Sequence, residues 1–172
     1  MTPIQSFHKP QINHILFATD LSETANQAFG YAVSMAESCQ ADITVLHVFE
    51  KLPPNANLVV AAFLGYGDVA EMHQKSEADL IVRIRSSIER FCMQAAEQVP
   101  TCPLLIRNVI VETGHPANRI LYYAATGAYE MLVMGNKGMG LVQSALMGSI
   151  SRTVLKDSPI PVLVVPIPEK KR

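Results

Sequence analysis

The sequence predicts an open α/β fold in which helices cover both faces of a parallel sheet of five strands. Short apolar segments alternate with segments of helical periodicity along the chain. These apolar segments contain few alternating polar residues, which is typical of strands buried on both faces. Apolar residues make up 49% of the 172 residues and charged residues 17%, so one domain with a substantial core is expected.

The first two strands are predicted at His14–Thr19 and Asp42–Phe49, where the apolar residues are nearly continuous. A helix is predicted between them because one of its faces is apolar. That face consists of Ala25, Ala28, Phe29, Ala32 and Ala36. Ser22 is a candidate N-cap, since a serine oxygen can accept a hydrogen bond from the first turn of a helix.

A long insertion, Lys51–Cys102, separates the second strand from the third. Its second part predicts a long amphipathic helix, because apolar residues recur every three or four positions. These residues are Ile81, Ile84, Ile88, Phe91, Ala95 and Val99. Its first part contains the apolar stretch Leu58–Leu64, which we interpret either as a flap on its own domain or as a contact surface for a partner.

The remaining strands are predicted at Leu104–Val111, Glu130–Met134 and Val162–Val165. Pro116 suits the first position of the helix that follows the third strand. Another helix is predicted to begin next to Gly148. In open α/β sheets, ligands bind beyond the carboxyl ends of the strands, where the strand order reverses. The loops after the first and fourth strands are therefore the expected ligand site.

Four of the nine glycines fall between Gly135 and Gly148, directly after the fourth strand. Glycine lets backbone N–H groups approach a ligand closely, and a helix N-terminus adds donors and a dipole that favour an anion. With the Ser149 hydroxyl, these groups predict a phosphate-binding loop that needs little positive charge. The segment has neither the Gly-Lys-Ser/Thr of a P-loop nor the compact Gly-x-Gly-x-x-Gly of dinucleotide folds.

The spacing Gly135-x2-Gly138-x9-Gly148-Ser149 resembles the nucleotide-binding signature of the universal stress protein family, in its ATP-binding subclass. The resemblance runs from about His14 to Val165 and is carried by several further segments. These are Ala18-Thr19-Asp20-Leu21-Ser22, Leu46-His47-Val48, Gly114-His115-Pro116-Ala117, Leu132-Val133-Met134-Gly135 and Ser158–Val165. It implies a Rossmann-like fold, similar to the adenine nucleotide alpha hydrolases, with the strand order 3-2-1-4-5.

The resemblance also implies a ligand and its site. ATP, with or without Mg²⁺, would contact the end of the first strand through its adenosine and a backbone edge of the second strand through its adenine. The glycine signature would surround the ribose and phosphates. The residues implied are Ala18, Thr19, Asp20, Val48, Met134, Gly135, Asn136, Gly138, Gly148, Ser149 and Ile150. The family's usual homodimer pairs the last strands antiparallel, which implies an interface at Val162, Leu163, Val164 and Val165. Asn136 and Lys137 depart from the family pattern, and Lys137 would either meet a phosphate or face water.

We therefore expect one universal-stress-protein domain at residues 14–166, after an extension at 1–13 and before a tail at 167–172. Its expected function is nucleotide-dependent stress response or signalling. Two alternatives stay open: a slow ATPase or (auto)phosphotransferase that uses Asp20 and Ser149, and a nucleotide-free dimer that acts through protein partners. Binding is favoured over turnover, because phosphoryl transfer needs a base and usually a set of metal ligands, and Asp20 is the one candidate carboxylate near the loop.

Composition excludes several other classes. Fourteen Lys and Arg against fifteen Asp and Glu argue against a dedicated nucleic-acid binder. No apolar run approaches the roughly 20 residues that span a bilayer. The three cysteines, Cys39, Cys92 and Cys102, lack the spacing of a metal or redox site. We expect a soluble, cytoplasmic protein without a metal site, in which His47 is a core histidine.

Overall fold

The computed structural model describes residues 9–22, 25–50, 77–126, 129–137 and 147–166. The strands in these ranges are β1 His14–Thr19, β2 Asp42–Phe49, β3 Ile106–Thr113, β4 Met131–Gly135 and β5 Val162–Val165. The helices are α1 Ala25–Cys39, α2 Glu77–Gln98, α3 Cys102–Leu105, α4 Pro116–Ala125 and α5 Ser149–Asp157. The Leu58–Leu64 stretch, Gly138 and the 167–172 tail lie outside the described residues.

The five strands form one parallel sheet in the order β3-β2-β1-β4-β5, which confirms the expected fold class. The central strand β1 pairs with β2 on one side and with β4 on the other. From β1 the chain builds the sheet outward through β2 and β3, and then crosses back to place β4 on the opposite side. The strand order therefore reverses between β1 and β4, where a ligand site is expected.

The continuous apolar strands are explained by two hydrophobic cores, one on each face of the sheet. In β1, Ile15 and Phe17 face the first core, where α1 and α2 pack. Leu16 and Ala18 face the second core, which is covered by α4 and α5. Because successive side chains of a strand point to opposite faces, a strand covered on both sides needs apolar residues at every position.

The long amphipathic helix predicted in the second part of the insertion is confirmed as α2. Ile88 has no exposed surface and Ile84 is buried beside it in the first core. Phe91 lies further along the same face, and its ring centroid is 5.1 Å from that of Phe29 in α1. The Phe29 ring is in turn 5.2 Å from the ring of Phe17 in β1. This row of aromatic rings ties both helices to the central strand.

The predicted start of the third strand was wrong. Residues Cys102–Leu105 form the short helix α3, with proline in its first turn, and β3 begins only at Ile106. Pro103 has no N–H to donate to a sheet, whereas the first turn of a helix does not require one. Leu104 was predicted as a strand residue but is 87% exposed.

The fourth strand begins one residue later than predicted, because the Glu130 side chain forms hydrogen bonds with the backbone at the start of β1. Its Oε2 accepts hydrogen bonds from the N–H groups of Asn13 (3.0 Å) and His14 (2.8 Å). The Glu130 N–H donates to the carbonyl oxygen of His14 at 3.0 Å. Glu130 thus satisfies backbone groups at the amino edge of the sheet, opposite the expected ligand site.

Replacing Ile88 by alanine is expected to destabilise the fold by about 2–5 kcal/mol, because it leaves a cavity in the first core. The matched control is Val82→Ala on the same helix, where valine is 61% exposed. We expect the control to change the free energy of unfolding by no more than about 0.5 kcal/mol. Urea unfolding measures both, and equal effects would contradict the packing of α2.

Candidate functional site

A cavity of about 250 Å³ opens at the carboxyl edge of the sheet, where β1 and β4 end. Apolar side chains of the second core form one part of its lining: Leu46, Val48, Ile120, Met134 and Ile150. Polar residues form another part: Thr19, Asp20, Lys137, Ser149 and Ser151. The other described lining residues are Ala18, Ala25, Pro116, Gly135 and Gly148. The cavity thus combines an apolar wall with a polar one at the point where the strand order reverses.

The structure brings together all but two of the residues predicted to bind a nucleotide. Those that line the cavity are Ala18, Thr19, Asp20, Val48, Met134, Gly135, Gly148, Ser149 and Ile150. Asn136 follows β4 without lining the cavity, and Gly138 lies outside the described residues. Their contact with a nucleotide stays a prediction.

Sequence reasoning missed several lining residues. Leu46 could have been found, because it lies two positions before Val48 in β2 and so points to the same face of the sheet. Pro116 and Ile120 are one helical turn apart in α4, and their place at the cavity depends on how α4 packs across the sheet. Ser151 carries no sequence signal of its own, because only the position of α5 brings it to β4.

The chain leaves β1 through a tight turn that is held by its own side chains. The Thr19 hydroxyl accepts a hydrogen bond from the Leu21 N–H at 3.0 Å, and Leu21 has a positive φ of 63°. Asp20 Oδ1 accepts bonds from the N–H (3.1 Å) and the hydroxyl (2.7 Å) of Ser22. The Ser22 carbonyl and hydroxyl oxygens accept from the Ala25 N–H at 2.9 and 3.3 Å. The Ser22 oxygens thus accept from the first described residue of α1, in line with the predicted capping role, and Asp20 both lines the cavity and orders the turn.

Asn136 joins the end of β4 to two other elements through its backbone. Its N–H donates to the Val165 carbonyl at 2.9 Å, and its carbonyl accepts from the Gly148 N–H at 2.8 Å. The Gly148 N–H therefore already donates a hydrogen bond within the protein. Gly148 has φ −68° and ψ 156°, an extended conformation open to any residue, so the backbone does not require glycine here, and Gly148 lines the cavity.

The first turn of α5 presents backbone donors at the cavity. The first bond within this helix runs from the Arg152 N–H to the Gly148 carbonyl at 3.0 Å. The N–H groups of Ser149, Ile150 and Ser151 precede it and have no acceptor inside the helix. These amides, rather than that of Gly148, are the ones at which an anion would bind.

Ser151 fixes this helix against the strand. Its side chain is only 4% exposed, and its hydroxyl donates to the Gly135 carbonyl at 2.9 Å. Since Gly135 is the last residue of β4, this bond sets the position of the first turn of α5 at the edge of the sheet.

His47 lies in β2 with 9% of its surface exposed, and the expected core position is confirmed. Its Nδ1 is 2.9 Å from the carbonyl oxygen of Thr19. A carbonyl can only accept a hydrogen bond, so Nδ1 carries the proton. Burial lowers the pKa of His47 below its usual 6.5, while the bond to Thr19 and the charge of Asp20 act in the opposite direction. The imidazole is therefore neutral at pH 7.

Charge at the cavity is sparse. Lys137 is the one cationic side chain, and Asp20 the one carboxylate, among the described lining residues. Within the described ranges no three His, Cys, Asp or Glu residues are grouped so that they could hold a metal ion. The helices described here include none that is both long and apolar enough to cross a membrane.

Comparison with known proteins identifies one family. The family described as the Universal stress protein family matches residues 11–166. A universal stress protein of Thermus aquaticus is 28% identical over 151 residues, which cover 88% of this chain and 96% of the relative. The universal stress protein YxiE of Bacillus subtilis is 26% identical over 154 residues, which cover 89% of this chain and 98% of the relative.

Solved structures share the fold. Universal stress protein UspA from Lactobacillus plantarum has a TM-score of 0.66 at 22% identity, covering 91% of this chain and 99% of its own. A universal stress protein in complex with cAMP has a TM-score of 0.62 at 16% identity, covering 92% and 100%. A universal stress protein family protein from Arabidopsis thaliana with AMP bound has a TM-score of 0.55 at 16% identity, covering 91% and 92%.

Replacing Ser151 by alanine is expected to destabilise the protein by about 1–3 kcal/mol, because it removes a buried donor from the Gly135 carbonyl. Ser38→Ala is the matched control, since the Ser38 hydroxyl also donates to a backbone carbonyl but is exposed. The control should stay within about 0.5 kcal/mol of the wild type. Thermal and urea unfolding measure both variants. Equal stability of Ser151→Ala and the wild type would contradict this assignment.

The lowered pKa of His47 predicts a pH-dependent stability. The unfolded chain, with an ordinary imidazole pKa, takes up a proton before the native state does. The contribution of neutral His47 to the free energy of unfolding is therefore complete above about pH 6.5. It is lost as the pH falls through the lowered native pKa of His47. The loss is at most about 1.4 kcal/mol per pH unit. His47→Asn does not titrate, so its free energy of unfolding should fall less between pH 7.5 and 5.5. Parallel pH profiles would contradict the prediction.

Proposed function

Because the chain belongs to the universal stress protein family, we propose that it binds an adenine nucleotide, namely ATP, in the cavity where β1 and β4 end. The observation that carries this proposal is the cavity itself, in which an apolar wall meets the first turn of α5, and no described side chain caps that turn. Support for the ligand class comes from two structural neighbours, one of which is in complex with cAMP and the other with AMP bound.

The adenine is proposed to lie against the apolar wall, near Val48 and Met134. The pairing of β1 with β2 ends at Thr19 and His47, whereas β2 continues to Phe49. The edge of Val48 beside β1 is therefore not covered by β1. A planar base can stack on apolar side chains and form hydrogen bonds along its edge, which such a backbone edge accommodates.

The phosphates are proposed to lie at the other end of the cavity. The amides of Ser149, Ile150 and Ser151 supply donors, and the dipole of α5 favours an anion there. Lys137 adds the one described positive charge of the lining. This arrangement explains how a protein with a net charge of −1 could hold a polyphosphate.

Asp20 is proposed to accept hydrogen bonds from the ribose hydroxyls, since a carboxylate placed directly against phosphate would repel it. Ser22 fixes its Oδ1 through two hydrogen bonds, so the orientation of the carboxylate is set before a ligand binds. If Mg²⁺ accompanies ATP, Asp20 is the available protein carboxylate. A single carboxylate fits magnesium, which commonly keeps waters and phosphate oxygens as its other ligands.

In the cell we propose a cytoplasmic, nucleotide-dependent stress-response module. The proposed assembly is a homodimer through β5, which lies at one edge of the sheet. A strand edge offers backbone groups to a second strand, and antiparallel pairing of two copies of Val162–Val165 would extend the sheet. We propose binding rather than turnover, because the described lining lacks the second carboxylate that a metal-dependent hydrolase would commonly use.

Gly148→Val is expected to weaken ATP binding at least tenfold, or about 1.4 kcal/mol, because its side chain would enter the cavity wall. Backbone strain is not expected, since Gly148 already has an extended conformation. Isothermal titration with ATP and AMP measures the effect. Gly30→Val is the matched control, since Gly30 lies in α1 away from the cavity and a Cβ there meets no atom within 4 Å.

Circular dichroism and thermal unfolding would show that Gly148→Val is folded, and Gly148→Ala replaces it if it is not. Wild-type affinity in the folded variant would contradict the proposed phosphate site. A wild-type protein that binds neither nucleotide, and carries none after purification by mass spectrometry, would contradict the function as a whole.

A further inference from the structure

We propose that His47 is a positioning residue for the nucleotide site, although its side chain lies on the other face of the sheet. Its imidazole holds the peptide group between Thr19 and Asp20 in the orientation that turns the Asp20 amide toward the cavity. This inference rests on the proposed function, because the cavity is taken to be the nucleotide site.

The alternation of β2 places His47 on the side away from the cavity. Leu46 and Val48 both line the cavity and belong to the second core. Since successive side chains of a strand point to opposite faces, His47 between them points to the face of the first core. His47 is also the register partner of Thr19, at the last pair between β1 and β2.

The hydrogen bond fixes the direction of one peptide group. The His47 Nδ1–H donates to the Thr19 carbonyl at 2.9 Å, so this carbonyl is directed toward the imidazole. The described peptide bonds include no cis bond, and in a trans peptide the carbonyl and the following N–H point in opposite directions. The Asp20 N–H is therefore directed away from the imidazole. Since Asp20 lines the cavity, we infer that this N–H faces it.

The turn after β1 depends on this orientation. Thr19 is buried, and its carbonyl lies at the end of the pairing between β1 and β2. A buried carbonyl without a donor is unfavourable, so loss of the imidazole donor favours rotation of the peptide group toward another partner. Such a rotation would move the Asp20 amide and carboxylate together, because both follow directly from that peptide.

Two substitutions separate the hydrogen bond from the volume of the side chain. His47→Asn keeps an N–H donor close to the position of Nδ1, whereas His47→Leu fills similar space without a donor. We expect His47→Leu to weaken binding of AMP and ATP at least tenfold in isothermal titration. His47→Asn should stay within about threefold of the wild type.

Val45→Ala is the control for general destabilisation. Val45 lies on the same strand and the same face, is fully buried, and belongs to the first core away from the cavity. This variant should lower the melting temperature and leave the nucleotide affinity unchanged. A purely structural role of His47 would instead make affinity follow stability across the three variants.

Equal affinity of folded His47→Leu and wild type would overturn this inference alone, as would an asparagine variant as weak as the leucine variant. If His47→Leu does not fold, ¹H–¹⁵N spectra of the wild type replace it. In these spectra the His47 Nδ1 proton should be present, and the Asp20 amide signal should shift on addition of AMP. A wild-type protein that binds AMP without this shift would overturn the inference. Absence of any binding by the wild type would overturn the proposed function and this inference with it.

Discussion

Burial of β1 on both faces is the constraint on which the rest of the structure depends. Ile15, Leu16 and Phe17 have no exposed surface, and strands pair with β1 on both of its edges. The backbone edges and side chains of β1 therefore already make contacts within the protein. Within β1, the residues that line the cavity are Ala18 and Thr19, at the end where the strand stops between two neighbours. The cavity occurs at that point because β2 continues further than the β1 pairing, and because α5 begins beside the end of β4.

Around the cavity, hydrogen bonds of backbone groups hold many of the elements in place. Asn136 links β4 to β5 and to the start of α5 through its own amide and carbonyl, and Ser151 links α5 to Gly135. The turn after β1 is held by Thr19, Asp20 and Ser22. Because these hydrogen bonds all form within the protein, the first turn of α5 is placed before any ligand arrives. A site formed largely by main-chain donors needs few particular side chains and little net charge.

The sequence predicts the fold well where residues act locally. Apolar runs locate β1, β2 and β5, and the spacing of Ile84 and Ile88 locates α2, because burial on a given face is visible in periodicity. Prediction fails where a distant partner decides. Glu130 looks like the start of a strand until its carboxylate is seen to bind the amides before β1, and Pro103 converts an apolar run into a helical turn. Most of the predicted site residues do line one cavity. They lie at or near the ends of strands, and the strand order determines which of these ends are neighbours. The hydrogen bond from the Gly148 amide to Asn136 and the position of Ser151 depend on how α5 packs. No local sequence pattern predicts that packing.

The two cores differ in what a substitution can change. The apolar wall of the cavity belongs to the second core, whereas α1 and α2 pack on the first core across the sheet. Substitutions in α2, and in α1 beyond Ala25, can therefore change stability while the cavity lining stays the same. Substitutions in α4 and α5 can change the lining without altering the first core. The imidazole of His47, on the side of the first core, contacts the Thr19 carbonyl at the end of β1. In the role proposed for it, replacement of this imidazole would change stability and nucleotide binding together.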